Sequence, residues 1–308
     1  MAEQQREVIK RISREHLLKN NGVLMGQCLS AVGWVGKTVP EMTEEEGIIE
    51  LPMADVAGGY IVVGTALAGR RPLYIVRYQG FQWFNAPGII NYAVKAKELW
   101  GYSCPVFIRS IAMEGGIGPV ASNSHHGLYY RMPGIPIAAP ATSREYEAVW
   151  KYFMEHDGPL YVSEHRKLWD VDFEMPDIIK DKADITLLPI SSPRLNALEA
   201  RTMLENQGIV CNIIHLPWIK PFSLNQKDDE IDYSLQNSKH GGIVLDGDYP
   251  NGVAKNIAYD LMHMHYKDDK RKVYAMALEE RTAGFAPHLD NLPPSPKQIY
   301  EKVREIIS

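Results

Sequence analysis

The sequence contains little cysteine, no long apolar run and no excess of positive charge. Its 308 residues include three cysteines, Cys28, Cys104 and Cys211, with no CxxC spacing among them. This pattern is typical of free thiols in a reducing compartment and argues against a secreted disulfide scaffold. No window approaches the roughly 18 consecutive apolar residues of a transmembrane helix. The formal net charge of −5 argues against a nucleic-acid binder, which would carry a basic face.

The N-terminal segment, MAEQQREVIKRISREHLLKN, mixes both charge signs. It lacks the apolar stretch of a signal peptide, and Glu3, Glu7 and Glu15 argue against an acidic-poor transit peptide. We therefore expect a cytoplasmic protein that binds neither nucleic acid nor membrane.

Short apolar runs alternate with helical patterns along the chain, which predicts an α/β fold with mostly parallel sheets. At about 100–200 residues per domain, the length favours two domains. The rhythm breaks over residues 166–183, which are charged, contain Pro176 and show no sustained period, as is typical of a linker. We therefore expect a first domain at 1–175 and a second at 176–308.

The individual elements follow from local patterns and capping residues. For example, Thr142 or Ser143 is expected to cap the helix that follows it. The predicted helices cover 1–20, 54–69, 85–100, 142–157, 193–207 and 251–265, with a last one beginning near Ser295; the predicted strands lie within 22–30, 70–78, 104–111, 135–140, 159–165, 183–190, 208–216, 241–248 and 272–278.

Several segments resemble one protein family in their order and spacing. In sequence these are LPMADVAGGYIVVGTALAGRRP (51–72), YQGFQWFNAPGIINYAVKAK (78–97), the run from VFIRSIAMEGGIG to SREYEAV (106–149), DGPLYVSEHRKL (157–168) and GIVCNIIHLPWIKPF (208–222). The chain resembles the beta subunit of the thiamine-diphosphate-dependent 2-oxoacid dehydrogenases of pyruvate or branched-chain type. Those subunits are similar to the central and C-terminal domains of transketolase. The resemblance implies a pyrimidine-binding domain followed by a transketolase C-terminal-like domain.

The resemblance implies that two chains build each active site. The cofactor's pyrimidine would lie on this chain, while its diphosphate and Mg²⁺ would be held largely by an alpha-type partner. A carboxyl group bonded to the pyrimidine would promote removal of the proton from the cofactor's reactive carbon. That acid is usually Glu in the family and is Asp55 here, which shortens its reach by roughly 1.5 Å. The alternative is that Asp55 only caps the helix that begins there.

Four more residues of the implied cofactor wall can be named by their position in the family pattern. Phe81 matches the aromatic residue that stacks on the pyrimidine, with Tyr78 nearby, and Met53 precedes Asp55 on the same wall. Gln27 stands where the family typically has an acidic residue, and an amide forms hydrogen bonds but carries no proton. The alternative for the aromatic residues is ordinary core packing.

A glycine-rich loop in the family leads to a histidine that contacts the substrate adduct, and gapless matching places Ala121 there. His125 and His126 follow four and five residues later, so either is a candidate replacement. The alternative is that both are polar residues of an exposed loop.

Two further patterns are set aside. His263 and His265 form a weak metal pair and are interpreted as a helix end, so we expect no metal ligands in this chain. LDGDYPNGVAKN (245–256) resembles a diphosphate-binding motif but falls in the second domain, and we interpret it as a turn with a helix start. No diphosphate motif and no G-x-G-x-x-G pattern is present, which argues against a dinucleotide dehydrogenase.

The resemblance therefore predicts a beta-type enzyme subunit that needs an alpha-type partner in an α2β2-like assembly. The leading expectation is oxidative decarboxylation of a small 2-oxoacid with acyl transfer to a lipoyl carrier, which makes a lipoyl acyltransferase a second candidate partner. Alternatives are a split transketolase-like ketol or acyl transferase, a decarboxylase of a specialised pathway, and a degenerate subunit that only assembles or regulates its partner. The helices at 56–69 and 86–100 are the expected subunit contacts.

Overall fold

The computed structural model describes residues 3–31, 33–266 and 271–308, so residues 1 and 2 of the predicted first helix lie outside the described residues. Strands and helices alternate, and both sheets are mostly parallel, which confirms the predicted α/β class. The strands are β1 (Gly22–Gly26), β2 (Ile48–Glu50), β3 (Arg71–Val76), β4 (Phe107–Ala112), β5 (Ile137–Ala138), β6 (Leu160–His165), β7 (Ile185–Pro189), β8 (Cys211–Ile213), β9 (Trp218–Lys220), β10 (Gly241–Leu245) and β11 (Lys272–Met276).

The helices match the predicted ones with a few additions. They are α1 (Gln5–Lys19), α2 (Gly33–Lys37), α3 (Asp55–Leu67), α4 (Gln82–Gly88), α5 (Val94–Trp100), α6 (Gly127–Tyr130), α7 (Ser143–Glu155), α8 (Pro193–Glu205), α9 (Asp228–Asn237), α10 (Val253–His265) and α11 (Pro296–Ile307). A π-helical turn, Ile89–Ala93, joins α4 to α5. No helix in the described ranges is both long and apolar enough to cross a membrane.

The first sheet contains seven strands of the described residues, in the order β2-β1-β3-β4-β6-β5-β9. All neighbours pair in parallel except β5 and β9, which are antiparallel. Both faces are packed, because Leu73 and Ile75 of β3 join one buried apolar cluster while Tyr74 and Val76 join another. Strand β9 comes from the second half of the sequence, so that half completes the edge of the first sheet.

The second sheet contains four strands of the described residues, all parallel, in the order β11-β10-β7-β8. One of its faces packs on α8 and α11. Leu188 of β7 and Val244 of β10 belong to the same apolar cluster as Tyr74 of the first sheet. The two sheets therefore share one hydrophobic core, and their relative position is fixed by packing.

A buried ion pair adds to this shared core. The guanidinium of Arg194, at the start of α8, donates to both carboxylate oxygens of Glu145 at 2.6 and 2.7 Å. Burial alone would raise the pKa of Glu145, but Arg194 and the backbone N–H of Ala141 lower it. Glu145 also completes a capping box with Thr142, which confirms the predicted cap of α7. The carboxylate of Glu145 thus caps the N-terminus of α7 in the first domain and binds Arg194 of α8 in the second.

Several segments differ from the sequence prediction. Helix α2 is a turn whose Trp34 and Val35 have left-handed φ angles of 52° and 51°, a conformation that bulky residues rarely adopt. Helix α9 and strand β9 carry no clear sequence signal and were not predicted. The segment predicted as a linker is packed, since Leu168 and Trp169 are almost fully buried.

Helices α3 and α4 lie unusually close together because glycine faces the contact. A side chain at Gly59 would collide with the backbone carbonyl oxygen of Asn85, and one at Gly88 would meet the backbone of Gly59 and Tyr60 at 2.9 Å. Gly64, one turn further along α3, has open space around it. The contact is therefore specific to the first half of α3, the half that begins with Asp55.

We expect Gly59→Ala to destabilise the protein by about 1–3 kcal/mol, because the added methyl group must push α4 away from α3. Gly64→Ala is the matched control in the same helix and should raise stability by about 0.5–1 kcal/mol through backbone entropy alone. Urea unfolding of both variants checks this, and equal effects would contradict the close packing described here.

Candidate cofactor site

A cavity of about 170 Å³ opens at the carboxyl ends of β1, β2 and β3. The ends of parallel strands share one edge of a sheet, which is where ligands bind in open α/β folds. All five of the predicted site residues that precede the glycine-rich loop line this cavity. The lining comprises Gln27, Cys28, Met53, Asp55, Tyr74, Ile75, Val76, Arg77, Tyr78, Phe81 and Asn85.

Asp55 is the first residue of α3, and its carboxylate points to a neighbouring side chain. The N-cap of α3 is Ala54, and no side chain caps this end. Asp55 Oδ1 instead accepts a hydrogen bond from Asn85 Nδ2 at 3.2 Å. The Asp55 side chain therefore forms no capping bond at this end of α3 and is bound to Asn85 instead.

Asn85 and Tyr74 support Asp55 and were not found from the sequence. The Tyr74 hydroxyl donates to Asn85 Oδ1, which fixes the orientation of the amide that holds Asp55. Burial, and then the nearby Asp55 carboxylate, raise the pKa of Tyr74, so it remains a donor. Tyr74 lies within an ordinary buried strand, and nothing in that pattern signals this role.

Phe81 closes the turn Gln79–Phe81 and lies between the cavity and the core. Its ring meets that of Tyr78 edge to face, with 5.8 Å between centroids. Phe81 both lines the cavity and packs against the main apolar cluster, so the two interpretations of this residue are compatible. Met53 lies at the rim, with 76% of its surface exposed and its Sδ 3.7 Å from Cys28 Sγ.

The lining fits one half of the expected cofactor. Gln27 Nε2 is buried without a hydrogen-bond partner among the described residues, so one donor is left for a ring acceptor. Asp55 supplies a carboxylate, and Phe81, Ile75 and Val76 supply aromatic and apolar surface. The volume of about 170 Å³ is below the roughly 300 Å³ of a complete small-molecule pocket, as expected for a shared site.

The two histidines do not line this cavity. His125 and His126 are 7% and 0% exposed, so the alternative of an exposed polar loop is wrong. His125 Nε2 lies 2.9 Å from the carbonyl oxygen of Ser122, and Trp83 Nε1 donates to His125 Nδ1 at 3.4 Å. Burial lowers the pKa of His125, so the ring is neutral and carries its proton on Nε2.

His126 is bound to the second domain. Its Nε2 lies 3.0 Å from Asp246 Oδ2 and 3.7 Å from Asp248 Oδ2. Burial lowers the pKa of His126, but the charge and hydrogen bond of Asp246, with the charge of Asp248, outweigh it and raise the pKa to about 9. For the neighbouring carboxyl group of Asp248, burial has the opposite effect and raises the pKa to about 6. Both aspartates belong to the segment 245–256, which forms a turn and a helix start as predicted. No local pattern indicates that Asp246 would meet His126, 120 positions away.

The chain offers no obvious metal centre in the residues that the structure describes. His263 and His265 lie in the last turn of α10, as predicted. His263 Nδ1 contacts the backbone of Tyr259, and His265 Nδ1 lies 2.9 Å from Asp232. Neither histidine approaches the cavity residues.

We expect the His126–Asp246 pair to stabilise the protein in a pH-dependent way. Because the pKa of His126 is raised from 6.5, its contribution is fully present below pH 6.5 and is lost as pH rises through about 9. Urea unfolding at both ends of this range should show a fall in stability that His126→Asn lacks. His288→Asn, at an exposed histidine, should retain the fall, and identical pH dependence in all three proteins would contradict the pairing.

The chain has recognisable relatives along its whole length. Residues 6–170 match the family described as "Transketolase, pyrimidine binding domain", and residues 176–299 match "Transketolase, C-terminal domain". The pyruvate dehydrogenase E1 component subunit beta of Rickettsia felis is 24% identical over 98% of this chain and 97% of its own length. The mitochondrial subunit of Bos taurus is 25% identical over 71% of this chain.

Solved structures share the fold. One titled "Split gene transketolase, inactive beta4 tetramer" has a TM-score of 0.73 at 17% identity and covers 100% of this chain and 99% of its own. A Pichia stipitis transketolase has the same TM-score of 0.73, and this chain spans 46% of it. The matched domains cover almost the whole sequence, and the cavity lies in the domain named for pyrimidine binding. The chain therefore belongs to the transketolase family of thiamine-diphosphate-dependent enzymes and carries its pyrimidine-binding and C-terminal domains.

Proposed function

We propose that this chain is the beta-type subunit of a thiamine-diphosphate-dependent enzyme that decarboxylates a 2-oxoacid and transfers the acyl group. The observation that carries the proposal is the cavity, which joins Asp55, Phe81 and the unpartnered amide of Gln27. The relatives named as pyruvate dehydrogenase E1 beta subunits support the substrate class. Acyl transfer of this kind implies a lipoyl acyltransferase as the acceptor protein. We propose that the protein acts in the cytoplasm.

The residues of this chain would bind the pyrimidine and control one proton. Thiamine diphosphate supplies a carbon that, once deprotonated, adds to a carbonyl group and accepts its electrons. Asp55 would hold a proton at the pyrimidine edge, and Asn85 would orient its carboxylate. Phe81 would stack on the ring, while Gln27 would donate a hydrogen bond without exchanging protons. Met53 and Tyr78 would complete the wall.

The second half of the site requires a partner. In this proposal the metal and the diphosphate would be bound by an alpha-type subunit, while this chain binds the pyrimidine. Helices α3 to α5, with the turn between α4 and α5, expose several large apolar side chains of the kind that a permanent interface buries. Tyr60 and Tyr92, on adjacent helices, are in ring contact with centroids 5.8 Å apart. We propose this surface as a subunit contact in an α2β2-like assembly; its exposed residues are Val56, Tyr60, Ile61, Leu67, Phe84, Tyr92, Leu99 and Trp100.

A split transketolase-like transferase is the second candidate. It is favoured by the structure titled as a split gene transketolase, which matches this chain almost end to end. The protein in that structure is described as an inactive beta4 tetramer, which agrees with a beta-type chain that needs a partner. The third hypothesis is a degenerate subunit that only assembles with its partner. Cofactor titration distinguishes this hypothesis from the two enzymatic ones.

We expect thiamine diphosphate with Mg²⁺ to bind only when this chain is mixed with an alpha-type partner protein. The reason is that this chain holds one half of the cofactor site. Isothermal titration of the chain alone, the partner alone and the mixture measures this. Absence of binding in the mixture would contradict the catalytic proposal and favour the degenerate subunit.

We expect Asp55→Asn to abolish activity of the assembled enzyme and Asp55→Glu to lower it by about 100-fold, because the longer side chain misplaces the carboxylate relative to Asn85. Asp260→Asn, at an exposed position on α10, is the charge-matched control and should be neutral. Rates of the reconstituted complex check this. A gain in activity for Asp55→Glu would show that the site has degenerated from a glutamate ancestor rather than adapted to aspartate.

A further inference from the structure

A chain of buried hydrogen bonds runs from the second domain to the Gln79–Phe81 turn, which forms one wall of the cavity. It begins at Asp246, which binds His126 Nε2 at 3.0 Å. The other ring nitrogen, His126 Nδ1, lies 3.1 Å from Ser163 Oγ, and Gln79 Nε2 donates to the same hydroxyl at 2.8 Å. His126, Ser163 and Gln79 are all 0% exposed. Water therefore does not compete for these bonds, and each member constrains the next.

Two glutamines flank Phe81 and hold the histidine loop by its backbone. Gln79 Oε1 accepts from the N–H of His125 at 2.7 Å, and Gln82 Nε2 donates to the carbonyl oxygen of His125. Gln82 Oε1 also accepts from Ser110 Oγ at 3.1 Å. Neither amide can rotate without breaking bonds at both ends. The position of Phe81 and the position of the histidine loop are therefore fixed together.

Ser163 connects His126 to Gln79, and its hydroxyl group can bond to His126 in either protonation state of the ring. Its oxygen accepts from Gln79 in both cases. It accepts a second bond from the charged ring or donates its own hydrogen to the neutral ring. The geometry of His126, rather than its charge, therefore transmits the constraint.

The glycine-rich loop reinforces the same turn. A side chain at Gly80 would collide with the carbonyl oxygen of Val120, so the loop lies directly on the turn. The loop is itself bound from the second domain, because the N–H of Gly115 donates to Asp290 Oδ2 at 2.9 Å. Two separate contacts with the second domain thus converge on the residues beside Phe81.

We propose that His126 is a positioning residue for the cofactor wall: anchored by Asp246, it sets the place of Phe81 through Ser163 and Gln79. This proposal rests on the proposed function, since that function gives the wall a pyrimidine to receive. It gives His126 a different role from the substrate contact predicted from the sequence. Both ring nitrogens are already bonded, and none is left for a substrate.

A purely structural role for the pair predicts a different result, and Arg194 with Glu145 provides the comparison. That pair joins the same two domains through a buried guanidinium, but its bonds lead to the start of α7. Breaking it should lower stability without loosening the cavity wall. Breaking the His126 chain should loosen the wall specifically.

Hydrogen exchange of the full chain tests the coupling without any cofactor. Ser163→Ala removes the connecting hydroxyl group but retains the ion pair, whereas Asp246→Asn removes the anchor. Both should speed amide exchange over residues 78–84 by about tenfold or more while β4 remains protected. Glu145→Gln should lower the melting temperature without this local effect. Unchanged exchange over 78–84 in folded Ser163→Ala, or the same pattern in Glu145→Gln, would overturn the proposal, and this holds even if Asp246→Asn does not fold.

Titration of thiamine diphosphate with Mg²⁺ into each variant mixed with the alpha-type protein provides the second arm. Ser163→Ala should bind about tenfold more weakly than the wild type, and Glu145→Gln should bind equally well. Equal affinity of Ser163→Ala and wild type would overturn the positioning role. If the wild-type mixture binds no cofactor, the proposed function fails, while exchange in the free chain still decides whether His126 controls the turn.

Discussion

The packing of the two domains against each other is the constraint on which the rest of the structure depends. Their shared apolar core provides most of it, and the bidentate ion pair of Arg194 with Glu145 adds to its stability. Removing the carboxylate while the guanidinium stays buried costs about 3–5 kcal/mol. Arg194 also donates to His215 Nδ1 at 3.1 Å, and burial with the charges of Arg194 and Lys227 lowers the pKa of His215 to about 2. The neutral ring of His215 and the Arg194–Glu145 ion pair thus lie side by side at the contact between the domains. Asp246 binds His126 at a separate point of contact between the same two domains.

Much of the fold could be predicted from local pattern. The alternation of apolar runs and amphipathic segments gave the α/β class, and Thr142 gave the start of α7, because these signals lie within a few residues of the feature they specify. Asp55, Phe81 and Gln27 could be named only through a family resemblance, and the structure brings them to one cavity. The division of the chain at residue 175 remains a prediction.

What the sequence did not reveal depends on contacts distant along the chain. Trp34 and Val35 adopt left-handed angles that their own side chains disfavour, so their surroundings must impose the conformation. The residues 166–183 appear as a linker in composition but are packed, because burial depends on neighbours rather than on local charge. Asp246 looked like part of a turn, and only the fold pairs it with a histidine on the other domain.

The shared edge of the first sheet has a consequence for how the protein is made. Strand β5 has two residues, and β9, which covers its outer side, leaves the ribosome some 80 residues later. During that interval of synthesis the nascent first domain carries an open strand edge, which favours pairing with other nascent chains. The domains therefore cannot be exchanged freely between relatives by recombination near residue 175, because a foreign second half must also supply a strand of matching register. Natural variation in this chain should accordingly keep the two halves together.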